Sequence, residues 1–77
     1  MTIKLRKYLP SANEISEKSQ DGIIKEVEAI KEEIKILEKS YKTHDLDTLK
    51  SSLTIAKIRL STIDNVLAHI GYMIEED

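Results

Sequence analysis

The sequence predicts an all-α fold: an antiparallel two-helix hairpin with coiled-coil-like packing, its first helix over about residues 13–42 and its second over about 46–74. Three observations predict it. From Leu46 onward an apolar residue recurs at every third or fourth position, through Leu49, Leu53, Ala56, Leu60, Ile63, Leu67, Ile70 and Ile74. That alternation is a heptad seam, by which one helix buries a stripe against another. A second seam runs through Ile23, Val27, Ile30, Ile34, Leu37 and Tyr41, and only the polar link Thr43-His44-Asp45 separates the two. A link so short makes the helices antiparallel neighbours.

The chain divides into a basic N-terminal arm, residues 1–10, and a single helical-hairpin domain, residues 11–77. In the arm, Ile3 and Leu5 alternate with Lys4 and Arg6 as in a strand, but no second strand is evident to pair with them. An extended arm is expected, with a short helix as the alternative. Pro10 ends the arm, and Ser11 with Glu14 fits a capping box that starts a helix. Asp21-Gly22 is a turn signal, and glycine inside a helix costs about 1 kcal/mol. The first helix therefore either runs from near Ser11 through Gly22 or restarts near Ser19–Asp21. The i,i+4 pairs Glu14/Lys18 and Asp21/Lys25 favour continuity. Away from its seam this helix carries Lys25, Glu28, Lys31, Glu32, Lys35, Glu38 and Lys39, a solvated face interrupted by Ile24 and Ile36.

Asp45 suits the N-cap of the second helix, and Asp47 suits the positive end of its dipole. At its far end Glu75-Glu76-Asp77 sets like charge on the negative end of the dipole, so the last turn is expected to fray. Gly71 weakens the same end. It either lets another backbone approach closely or is simply tolerated there.

Composition narrows the function. Charged residues make up 34% and aromatics 4%, with no Phe or Trp, which suits long exposed helices better than a globule. Two helices of about thirty residues would each run roughly 45 Å. A lone pair that long has one contact line and no enclosed interior, so a further helix, from a second copy or another protein, is expected to complete the core. The net charge of −2 makes no electrostatic case for nucleic acid. The charge is unevenly placed: the arm holds the three bases Lys4, Arg6 and Lys7 and no acid, whereas residues 45–77 hold three bases against six acids. With no cysteine, disulfides, thiolate metal sites and thiol nucleophiles are excluded. No apolar run reaches the length of a membrane span, and no signal-peptide core follows the basic start, so a cytoplasmic protein is expected.

The second helix has two apolar sides. Ile55, Ile58, Val66 and Met73 project about 130° from its seam at 100° per residue, with Thr62 and His69 between them. The polar strip left over is narrow: Lys50, Thr54, Lys57, Ser61 and Asp64. One hairpin partner covers only one of these sides, and leaving the other wet forfeits about 1.5–3 kcal/mol per large side chain. Contiguous apolar surface of that kind marks an interface.

Nothing in the chain composes a catalytic or metal site. His44 and His69 stand at opposite ends of the second helix, His44 suited to the C-terminal dipole of the first and His69 to an interface. Glu26, Glu28, Glu32 and Glu33 sit among lysines with no Glu-x-x-His motif after them, and read as solvated charge. Two glycines and two distant histidines build neither a phosphate-binding loop nor a nucleophilic triad. No enzyme activity and no cofactor are expected. Lys4, Arg6 and Lys7 with Tyr8 are too few for a nucleic-acid site, which would also show steep salt dependence.

The stretch Ile63-Asp64-Asn65-Val66-Leu67-Ala68-His69-Ile70-Gly71-Tyr72 resembles the end of the second helix in the YscE-like small subunits of bacterial type III secretion systems. Those chains carry there a run of the form aliphatic, acid, small, small, aliphatic, small, aliphatic, aliphatic, variable, Tyr; Ile63, Asp64, Leu67, Ala68, Ile70 and Tyr72 match it. The resemblance implies an antiparallel helical hairpin acting as a co-chaperone. Such a chain binds a helical-repeat chaperone, and the two together hold the secretion-needle subunit soluble in the cytoplasm. The expected partner-binding residues are Ile55, Ile58, Val66, His69, Tyr72 and Met73. The alternative occupant of the same face is a second copy of the chain, giving a homodimeric four-helix bundle with a structural or regulatory role.

Overall fold

A computed structural model describes residues 2–76, in the order β1 (Ile3–Lys7), α1 (Glu17–His44), α2 (Asp47–Ile70) and β2 (Tyr72–Glu76). Met1 of the expected arm and Asp77 of the expected frayed end lie outside the described residues. The helical hairpin is present, α1 packing along α2. The all-α expectation is corrected: β1 and β2 form a two-stranded antiparallel sheet, β1 lying on α1 and β2 on α2.

The second strand was hidden because Ile70 and Ile74 continue the spacing of the α2 seam. Gly71 breaks that continuity. It takes φ 96°, in the left-handed region, and its N–H returns to the carbonyls of Ala68 and Leu67, closing the helix at Ile70 rather than at residue 74. Beyond it the period changes from 3.6 to 2, which puts Tyr72 and Ile74 on one side of the strand and Met73 and Glu75 on the other. The register pairs Lys7 with Tyr72, Leu5 with Ile74 and Ile3 with Glu76 on the helix side, and Arg6 with Met73 and Lys4 with Glu75 on the outer side. The acidic tail therefore does not fray a helix. Glu75 pairs with Arg6 (Nε to Oε2, 3.3 Å) and Glu76 with Lys31 (2.7 Å). The positive start and the negative end of the chain meet as neighbouring strands.

The loop between β1 and α1 overturns the expected capping box. Pro10 occupies the second position of a turn closed by the Ala12 N–H on the Leu9 carbonyl (3.0 Å), so Ser11 is turn backbone. Glu14 reaches back to Lys7 at 2.7 Å instead of capping a helix. The N-cap is Ser16, whose hydroxyl accepts the Ser19 N–H at 3.2 Å, and α1 then runs unbroken through Gly22. At the other end Asp45 caps α1 rather than α2. It adopts φ 47°, ψ 48° and donates its N–H to the Tyr41 carbonyl, while Leu46 precedes α2 with no side-chain cap.

Val27, Ile30, Ala56 and Leu67 form the buried centre of the hairpin, with Ile3 and Tyr72 closing it from the sheet. Of the predicted α2 seam, Leu46 and Ile70 are exposed. The far end of the sheet, Ile3 and Glu76, reaches the middle of the hairpin at Lys35 and Lys57. Past that point Leu37, Tyr41, Leu49 and Leu53 are only half-buried, because each helix there has the other as its sole cover. The chain thus supplies part of the missing third layer itself, over one half of a body 47 Å long.

Candidate partner-binding face

With its seam against α1 and β2 over the side that carries Leu60, Ser61 and Asp64, α2 turns its remaining perimeter outward. Ile55, Ile58 and Val66 lie there, 59%, 59% and 58% exposed. Thr62 sits among them and spends its hydroxyl on the Ile58 carbonyl at 2.9 Å, so it adds no unmet donor. His69 is exposed in the last turn of the same helix. These four positions of the expected set and its neighbours come together as one strip.

Two expected residues do not join it. Tyr72 is 3% exposed and belongs to the monomer's own core. Its hydroxyl donates to the Asn13 carbonyl and accepts the Ile15 N–H, both at 3.1 Å, tying the loop before α1 to the sheet. Met73 is exposed, but on the outer side of the sheet beside Arg6, whose Nη2 lies 3.4 Å from its sulfur. Both displacements follow from Gly71, which ends the helix on which their placement depended.

The sequence reading missed Ile70. It is exposed, not seam, and lines a shallow groove with Leu9, Ala12 and His69 that prolongs the strip past the end of α2. The groove exists because the chain crosses closely here. The Tyr8 and Leu9 N–H groups both reach the Gly71 carbonyl (2.9 and 3.4 Å), and the Tyr8 hydroxyl donates to the Ala68 carbonyl.

The strip holds no carboxylate, lysine or arginine. Arg59, the basic residue on its border, is drawn onto α1 by Glu26 (3.2 Å) and Glu33 (3.4 Å). Two of the four glutamates expected to be merely solvated thus converge on one guanidinium. The arm is similarly occupied, with Arg6 on Glu75 and Lys7 on Glu14. The Lys7 ammonium holds the Glu14 carboxyl below the ordinary carboxylate range through their hydrogen bond, and Glu14 raises Lys7 in return.

His44 ends α1 at the hairpin link, and His69 lies near the opposite end of the molecule. Among the described residues no three His, Cys, Asp or Glu side chains gather as a metal would require, and no helix is long and apolar enough to cross a membrane. Compared with known proteins, the chain matches no family model, no curated protein and no solved structure.

Proposed function

We propose that this protein is a small helical adaptor that acts by binding, not catalysis, and that its working surface is the outer strip of α2. One observation carries the proposal. Ile55, Ile58 and Val66 stay about three-fifths exposed on a helix whose opposite side already packs on α1. Covering each would contribute about 1.5–3 kcal/mol, enough together to drive association. The strip is mainly aliphatic and holds no carboxylate, lysine or arginine, which fits the side of another helix.

The narrower form of this proposal is the co-chaperone role that the Ile63–Tyr72 resemblance implies: with a helical-repeat chaperone, the chain would keep a secretion-needle subunit soluble in the cytoplasm. Co-expression with such a chaperone and its needle subunit tests it. The wild-type chain should co-purify, and Ile58→Asp should abolish the complex while leaving the helical circular dichroism intact. Failure of the wild type to form a complex rejects the co-chaperone role. Loss of helix content in the variant would reassign this strip to the intramolecular core.

A further inference from the structure

The sheet fills the groove between α1 and α2 only as far as Ile3 and Glu76, and beyond them the groove continues open toward the hairpin link. The floor of the open part is aliphatic, with Ile34, Leu53 and Leu60 all half-buried. Its rims are basic. Lys35 and Lys42 stand seven residues apart on α1 and share a recess with Ile34 and Glu38. Lys57 lies beside Leu60 on the facing rim of α2, and Lys50 precedes it by the same interval. Seven residues make close to two turns, so each pair keeps to one rim, and the antiparallel packing sets the two pairs opposite each other. Among the described residues none of these four lysines has an ion pair. The filled half shows what the groove accepts. There Leu5, Tyr72 and Ile74 face the helices, and the last carboxylate of the sheet, Glu76, meets Lys31, one turn before Lys35.

From the lysine rims and the aliphatic floor we infer that the open half of the groove binds an acidic amphipathic helix of a partner protein. The floor takes the apolar stripe of that helix, and carboxylates along both borders of the stripe meet the two rims, as flanking charges do in a coiled coil. The backbone of the occupant is helical for a separate reason. The β1–β2 ladder ends at the Ile3–Glu76 pair. Beyond it the walls are helices that have already spent their N–H and C=O groups, so an extended segment would find no main-chain partner there. A helix satisfies its own. A nucleic-acid strand would use the lysines but leave the aliphatic floor wet, and the α2 strip of a second copy brings no carboxylate to the rims. The groove and the exposed strip lie on different sides of α2, so this second surface does not rest on the adaptor reading.

Calorimetric titration of the full chain tests the inference. The probe is a synthetic helix of about fourteen residues, roughly 21 Å, with leucine on one face and glutamate along both borders. It should bind and should slow amide hydrogen exchange from Leu37 through Leu53. Lys35→Glu and Lys57→Glu should each weaken binding roughly fivefold. The double variant should prefer the same helix carrying lysine in place of glutamate. Lys25→Glu makes the same change of charge outside the groove and should leave binding unchanged, as should Ile58→Asp on the exposed strip. A wild type that does not bind the glutamate helix overturns the inference, and so does binding indifferent to Lys35 and Lys57. Loss with Ile58→Asp in place of the lysine variants overturns it too, by placing the probe on the strip. Capture of duplex DNA or phosphatidylserine vesicles through the same lysines, with the glutamate helix ignored, overturns it in favour of a polyanion surface. Circular dichroism of each variant confirms that these exposed substitutions leave the helices in place.

Discussion

Two glycines in this chain do opposite things, and substitution should separate them. Gly22 sits in the second turn of α1, and an added Cβ would meet nothing within 4 Å. Gly22→Ala should raise unfolding stability by about 0.5–1 kcal/mol, read from urea denaturation. At Gly71 the same change meets φ 96° and places a Cβ only 2.6 Å from the Ala12 Cβ and 3.1 Å from the Leu9 Cβ. Gly71→Ala should cost about 1–3 kcal/mol in the same measurement. Tyr72 is the other residue on which the closure depends. Tyr72→Phe keeps the ring in the core but strands the Ile15 N–H and frees Asn13, at about 1–3 kcal/mol. Of these, only the role of Gly22 as a tolerated helical glycine was readable locally. The sequence around Gly71 supports two readings, because whether a backbone approaches it depends on Leu9 and Ala12, more than fifty positions away.

At the scale of elements, the two seams predict α1 and α2 well because each helix reports its buried face through its own periodicity. The ends of both helices were misread, and for one reason. Caps are settled by competition among neighbours: Ser11 lost to the Pro10 turn, Glu14 was taken by Lys7, and Asp45 went to the left-handed cap of α1 rather than to α2. The strands were missed because each is too short to be recognised alone. Alternation at Ile3–Arg6 had no visible partner, and the partner shared its spacing with a helix. The sheet covers only one half of the hairpin, so stability should be uneven along it. Amide hydrogen exchange should be slowest at Val27, Ile30 and Leu67 and faster from Leu37 through Leu53, where no seam residue is fully buried. Uniform protection along both helices would show that something else covers the far half.

For the whole molecule, the ends of the chain are joined by charge as well as by the sheet ladder. The pairs Arg6–Glu75, Lys31–Glu76 and Lys7–Glu14 are all exposed or half-exposed, so each adds little at physiological salt. Their pH dependence has a definite sign. The Glu14 carboxyl is lowered in the folded protein, so its contribution is complete above the ordinary carboxylate range and disappears as pH falls through the lowered value. The Lys7 ammonium is raised, so its share survives to the usual lysine range and is lost only as pH climbs beyond it. Glu14→Gln should therefore make thermal stability less sensitive to acid, with little change at neutral pH. A steeper acid limb in that variant would contradict the pairing.

By itself the sequence determined the two helices, their antiparallel packing and the surplus apolar side of α2, because periodicity is a local property that each helix carries in full. It also carried the charge contrast between the two termini. Only the tertiary structure decided that these termini pair as strands, that Tyr72 turns inward and Met73 outward, and that Ile70 leaves the seam to join the exposed strip. Those outcomes depend on where Gly71 ends the helix and on which distant residues crowd against it. Contacts between opposite ends of a chain leave no periodic trace in either end.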